Sequence, residues 1–96
     1  MHGSAPSVSV LYFAALRDLS GVGEETVELV ELAGRLAEGR LRVDELLAEL
    51  ERRHPALSGR LLSRAVRVAV NEEFVEVGKT LRTGDVVALI PPVSGG

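Results

Sequence analysis

One stretch of this sequence combines residue types and spacing that can do chemistry, and it is the last: IPPVSGG. Pro91 and Pro92 have no N–H for a sheet ladder and favour a stiff, extended conformation. They are expected to end a strand and project Val93 and Ser94 away from the domain. Gly95 and Gly96 carry no side chains, so their backbone can thread a narrow channel. A carboxylate on Gly96 is ionised at neutral pH, since its reference pKa is roughly 3.3–3.7. It is then a nucleophile on a tether. It can attack the α-phosphate of ATP, become an acyl adenylate, and pass the acyl group to a thiol, a sulfide or an amine. Two glycines alone are weak support, because glycine is common near termini. The combination of a final strand, a proline spacer and a Gly-Gly end is stronger.

Little else in the sequence resembles an active site. It contains no G-x-S-x-G elbow and no Walker A run. It contains no cysteine, which excludes disulfides, thiolate metal sites and a cysteine nucleophile on this chain. His2 and His54 are far apart, and His54, just before Pro55, is placed to complement a helix end rather than to bind a metal. No metal site is expected. The adjacent carboxylates Glu24–Glu25 and Glu72–Glu73 fall at turns and read as solvated. GVGEET (21–26) has no helix after it, so it is not a phosphate-binding fingerprint. Thr83-Gly84-Asp85 reads as a turn.

Composition narrows the class further. The 96 residues are 46% hydrophobic and 26% charged, as in a single soluble globular domain. The net charge of -3 and aromatic content of 3% offer neither the basic stripe nor the stacking rings of a nucleic-acid binder. No apolar run approaches the ~18–20 residues of a membrane span, and MHGSAPSVSV lacks the pattern of a signal peptide. A cytoplasmic location is the expectation. Residues 1–7 read as a leader, 8–90 as the domain and 91–96 as the tail.

The elements that must position the tail can be read from periodicity. SVSVLYF (7–13) alternates as a strand, with Val8, Val10 and Tyr12 on one face and Ser9, Leu11 and Phe13 on the other. AALRDL (14–19) suggests a helical turn. EETVELVEL (24–32) reads as a second strand, antiparallel to the first. The stretch 33–42 is indistinct, broken by Gly34 and Gly39. VDELLAELERRHP (43–55) is the clearest helix: Val43, Leu46, Leu47 and Leu50 form one apolar stripe. Asp44 and Glu45 begin it, Arg52 and Arg53 end it, and both placements suit the helix dipole. ALSGRLLSR (56–64) is a short helical piece or a loop. AVRVAV (65–70), FVEV (74–77) and DVVALIPP (85–92) read as strands. The order strand, strand, helix, strand, strand lets the outer strands pair in parallel across the helical crossover. The fold class is α+β, a ubiquitin-like β-grasp with one main helix on one face of a small mixed sheet. A ferredoxin-like fold would need a second good helix.

At this point the chain resembles the MoaD family, the small, sulfur-carrying subunit of molybdopterin synthase. The likeness covers about residues 8–96. It is carried by VLYFAALRDLSG (10–21), VAVN (68–71) and, most specifically, LRTGDVVALIPPVSGG (81–96). The resemblance implies that an adenylyltransferase like the ubiquitin-activating enzymes uses ATP on the Gly96 carboxylate. A sulfur donor enzyme then makes the thiocarboxylate. The tail next enters the large synthase subunit, in a heterotetramer, and gives its sulfur to a cyclic pyranopterin monophosphate. No cofactor is held by the chain. The resemblance makes Gly96 the sulfur-bearing residue and Gly95 its channel neighbour, with Pro91, Pro92, Val93 and Ser94 the rest of the tail. Phe13, Arg17, Phe74 and Ile90 match partner-facing positions, although the aromatic and aliphatic ones can equally be core. Both faces of the first strand are apolar, which favours a partner surface. Two departures stand out: 31–42 is longer than the usual link, and Arg42 stands where a capping Ser, Thr or Asp is expected. The alternatives are a ubiquitin-like modifier conjugated through Gly96, or a carrier delivering sulfur to thiamine, tRNA or another acceptor. Lys79, the single lysine, leaves little room for self-linked chains.

Overall fold

Val8, Val10 and Tyr12 fall on one side of an extended segment. In a computed structural model all three are buried within β1, Ser7–Tyr12. The structure describes residues 6–29, 33–63 and 65–92. Ser7, placed in the leader by the sequence reading, belongs to the sheet: it opposes Glu28, and its N–H donates to the Thr83 hydroxyl at 3.1 Å. A short helix α1, Ala15–Ser20, follows. Gly21 ends it with a left-handed φ of 84°, and its N–H bonds the Arg17 carbonyl at 2.9 Å. β2, Glu24–Glu28, then returns antiparallel to β1.

Part of the indistinct stretch folds into helix α2, Ala33–Ala37, and a two-residue strand β3, Leu41–Arg42. The main helix α3, Val43–Arg53, buries Val43, Leu46, Leu47 and Leu50, the stripe its spacing requires. Its missing Ser, Thr or Asp cap is replaced from inside: Glu45 accepts the Arg42 N–H at 3.0 Å, while the Arg42 guanidinium pairs with Asp44. A 3-10 turn, Pro55–Leu57, follows α3.

The remaining strands are β4, Arg67–Val70; β5, Glu73–Val75; β6, Thr80–Leu81; and β7, Val86–Ile90. β2, β1, β7, β4 and β5 lie side by side in that order, and β3 pairs with β6 in a separate two-stranded ribbon. β1 and β7 run parallel, as the helical crossover allows, and every other pairing is antiparallel. The α3 stripe, with Leu36, Leu57 and Leu61, covers the face of the sheet carrying Val8, Val10, Val27, Val68, Val87 and Leu89. Burying each such side chain contributes roughly 1.5–3 kcal/mol. This is the expected α+β β-grasp arrangement.

Among the acidic residues of α3, Glu51 holds the loop that follows the helix. Burial raises the Glu51 carboxyl, but N–H groups of Gly59, Leu61 and Leu62 at 3.0, 2.8 and 3.3 Å outweigh it. The group lies below its ordinary value of 4.5. Hydrogen bonds from Arg52 and then Arg53 hold Glu49 at about 2. Both folded-state values lie below the unfolded ones. Their contribution to stability is therefore full above about pH 4.5 and is lost as pH falls toward 2. Chemical denaturation should show the midpoint dropping through that window. Glu51→Gln should cost about 1 kcal/mol at neutral pH and flatten part of the drop. A pH-independent midpoint between those values would contradict these roles.

Candidate functional site

The face of the sheet opposite α3 is the unusual one. β-strand registry lines up Leu11 with Ala88, Ala88 with Ala69, and Ala69 with Phe74, one row across four strands. Two alanines in the middle of the row, with larger side chains around them, make a hollow of ≈ 580 Å³. Phe13, Phe74, Val86 and Ile90 stand at its margins, and Asn71 and Glu72 add a polar side. Phe13 is 40% exposed and Phe74 57%, so neither is core. Ile90 is half-buried, and Arg17 on α1 is exposed. Three of the four expected partner residues, Phe13, Phe74 and Ile90, thus meet at one hollow. Arg17 lies off it, with its guanidinium beside Gly23.

Local backbone presents Phe13. The next residue, Ala14, has φ 50° and ψ -127°, a region that a side chain rarely tolerates. The turn is closed by the Leu16 N–H donating to the Phe13 carbonyl at 3.0 Å, and the Phe13 N–H bonds the Leu89 carbonyl at 3.2 Å. Phe74 is held by the Arg67 guanidinium, 3.9 Å above its ring centroid. On the far side of the hollow, Asn71 locks β4 to β7. Its amide donates to Asp85 at 2.9 Å, and its carbonyl oxygen accepts the Val86 N–H at 2.9 Å.

Pro91 and Pro92 follow β7 directly, beside α1, and line a groove with Leu16, Leu19 and Arg60. The tail therefore leaves from the end of the sheet where Phe13 and α1 sit. Val93, Ser94, Gly95 and Gly96 lie outside the described residues.

Two side chains differ from their sequence-based placement. Glu25 is not a solvated turn carboxylate. It is half-buried, accepts the Tyr12 hydroxyl, and lies 2.8 Å from Nε2 of His54. Burial, and then that hydrogen bond, push the Tyr12 phenol above its ordinary value. His54 caps the end of α3, and its ring stands edge-on to Tyr12, so it ties α3 to β2 rather than serving the helix end alone. Among the described residues no cluster of His, Cys, Asp or Glu can hold a metal ion. Among them, too, no helix is long and apolar enough to cross a membrane. The sequence reading missed Ala69, Ala88 and Val86 as parts of the site. The one local signal was alanine among β-branched residues in VAV and VVALI.

The ThiS family matches residues 10–96. The chain belongs to the ThiS family. Other proteins similar to this ThiS family chain include the molybdopterin synthase sulfur carrier subunit of Chlamydomonas reinhardtii. It is 38% identical over 91 residues, covering 93% of this chain and 98% of that protein. The subunit of the same name from Homo sapiens is 36% identical over 92 residues, covering 93% of each. Among solved structures, SAMP1 of Haloferax volcanii has a TM-score of 0.77 at 31% identity, over 94% of this chain and 99% of that one. The resemblance to the small synthase subunit and the β-grasp fold are both borne out.

If the outer face is surface rather than core, Phe74→Ser should change stability by less than about 1 kcal/mol. Leu89→Ala, on the helix side of β7, should cost about 2–5 kcal/mol. Equilibrium denaturation separates the two. Equal losses would place Phe74 in the core.

Proposed function

We propose that this protein is the sulfur carrier of molybdopterin synthase and that its working group is the Gly96 carboxylate. The observation that carries the proposal is the similarity, at 38% and 36% identity over nearly the full length, to sulfur carrier subunits of that synthase. The geometry is consistent with it. An apolar hollow, and a tail root at the same end of the sheet, give a partner both a face to grip and a strand end to follow.

The chemistry needs no side chain of this chain. A carboxylate oxygen of Gly96 attacks the α-phosphate of ATP in an adenylyltransferase, and pyrophosphate leaves. A sulfur donor then supplies sulfur to the activated carbonyl carbon, AMP leaves, and a thiocarboxylate remains. In the large synthase subunit that sulfur passes to a cyclic pyranopterin monophosphate. ATP is consumed by the activating partner and is not a cofactor of this chain. The absence of cysteine fits, because the sulfur rides on the C-terminal carbonyl. The assembly is a heterotetramer of small and large subunits.

A second reading has its own support: the similar SAMP1 is a small archaeal modifier protein. On that reading the same acyl adenylate reacts with lysine amines of other proteins.

Deleting Gly96 should abolish product formation by the reconstituted synthase while leaving thermal unfolding unchanged. A truncated protein that still supports synthesis would overturn the proposal. Adducts that survive reducing agent in extracts, without any synthase activity, would favour the modifier.

A further inference from the structure

The positive charges of this chain are sorted by location. Arg35, Arg40, Arg42, Arg52 and Arg53, in and around α2 and α3, each form an ion pair with a nearby carboxylate. Among the described residues, Arg60 and Arg67 have no ion pair and lie at the root of the tail, while Arg17, also without one, has its guanidinium beside Gly23. Arg60 lines the groove that holds Pro91 and Pro92. Arg67 opposes Ile90 in the β4–β7 pairing, and its guanidinium carbon lies 3.9 Å from the Phe74 ring centroid. Lys79 and Arg82, also without an ion pair among the described residues, lie with Asp85 at the opposite end of β7.

We propose that Arg60 and Arg67 form a two-arginine cationic collar that docks on an acidic rim around the opening through which the large synthase subunit admits the tail. The proposal rests on the sulfur-carrier reading and adds the chemistry of the contact. Three features support it. The chain is acidic overall, with net charge -3, so an acidic partner is attracted only where unpaired cations gather, and of the two such ends this is the one from which the tail leaves. An arginine stacked on an aromatic ring keeps its edge N–H groups free, in the fork that suits a carboxylate. Distance argues against the ATP phosphates as the occupant. Residues 93–96, drawn out along a channel, put about 14 Å between Pro92 and the reacting carboxylate. The collar therefore meets the mouth of the channel and not the reaction centre. The Glu51 carboxylate, bonded to the N–H groups of Gly59 and Leu61, fixes the loop that presents Arg60.

The test is the association rate of the full chain with its large subunit, followed by stopped flow across a salt series. The wild type should associate faster at low salt. Arg60→Glu with Arg67→Glu should slow association about tenfold or more at low salt and flatten the salt dependence, with dissociation little changed. Arg82→Glu, at the far end, should leave the rate unchanged. Circular dichroism and denaturation establish that the variants are folded. Arg60→Gln with Arg67→Gln, which introduces no repulsion, should give a smaller slowing in the same direction. An association rate and salt slope equal to wild type in the Glu double variant would overturn the collar while leaving the sulfur-carrier reading intact. Failure of the wild type to bind the large subunit at all would overturn both, and would place the fault in that reading.

Discussion

The parallel pairing of β1 with β7 is the constraint on which the rest of the structure depends. Parallel neighbours end at the same edge of a sheet, and they need a long crossover between them. The crossover here contains α3, whose apolar stripe covers one face of the sheet. The shared edge brings together what lies after each strand: Phe13 and α1 after β1, Pro91 and Pro92 after β7. β4, antiparallel to β7, begins at the same edge and brings Arg67 there. A domain with these strands paired differently would separate the tail from the hollow.

With only one main helix, the sheet is covered on one side. The exposed side would normally be polar, yet here it carries Leu11, Ala69, Ala88, Phe74 and Ile90. Such a surface costs solubility unless a partner covers it. Its concavity comes from small residues at the centre, Ala69 and Ala88, and large ones at the margin. The strained Ala14 and the Arg67–Phe74 stack fix two of the marginal aromatic side chains in place. These features fit a surface shaped for one kind of partner better than a frayed or surplus face.

Much of this was legible in the sequence because it is local. Alternation in SVSVLY chose the buried side of β1, and the i, i+3, i+4, i+7 stripe chose the buried side of α3. The crossover argument gave the parallel pair. What was not legible depends on register between distant strands. The Glu25 carboxylate meets Tyr12 and His54 only because β2 pairs with β1 as it does and α3 ends above both. The row Leu11, Ala88, Ala69, Phe74 likewise joins residues far apart in the chain. β3 and β6 have two residues each, too few for alternation to mark. The cap at Arg42 was misleading because Glu45 supplies it three residues later. At the tail the sequence reading stands alone for Val93–Gly96.

The central claim is that sulfur is carried on the Gly96 carbonyl. The most direct measurement is fragmentation mass spectrometry of the protein after incubation with ATP, the adenylyltransferase and the sulfur donor. The expected result is a single oxygen replaced by sulfur in the fragment ending at Gly96, and in no other. A protein that acquires no sulfur under these conditions, or acquires it away from Gly96, would contradict the claim.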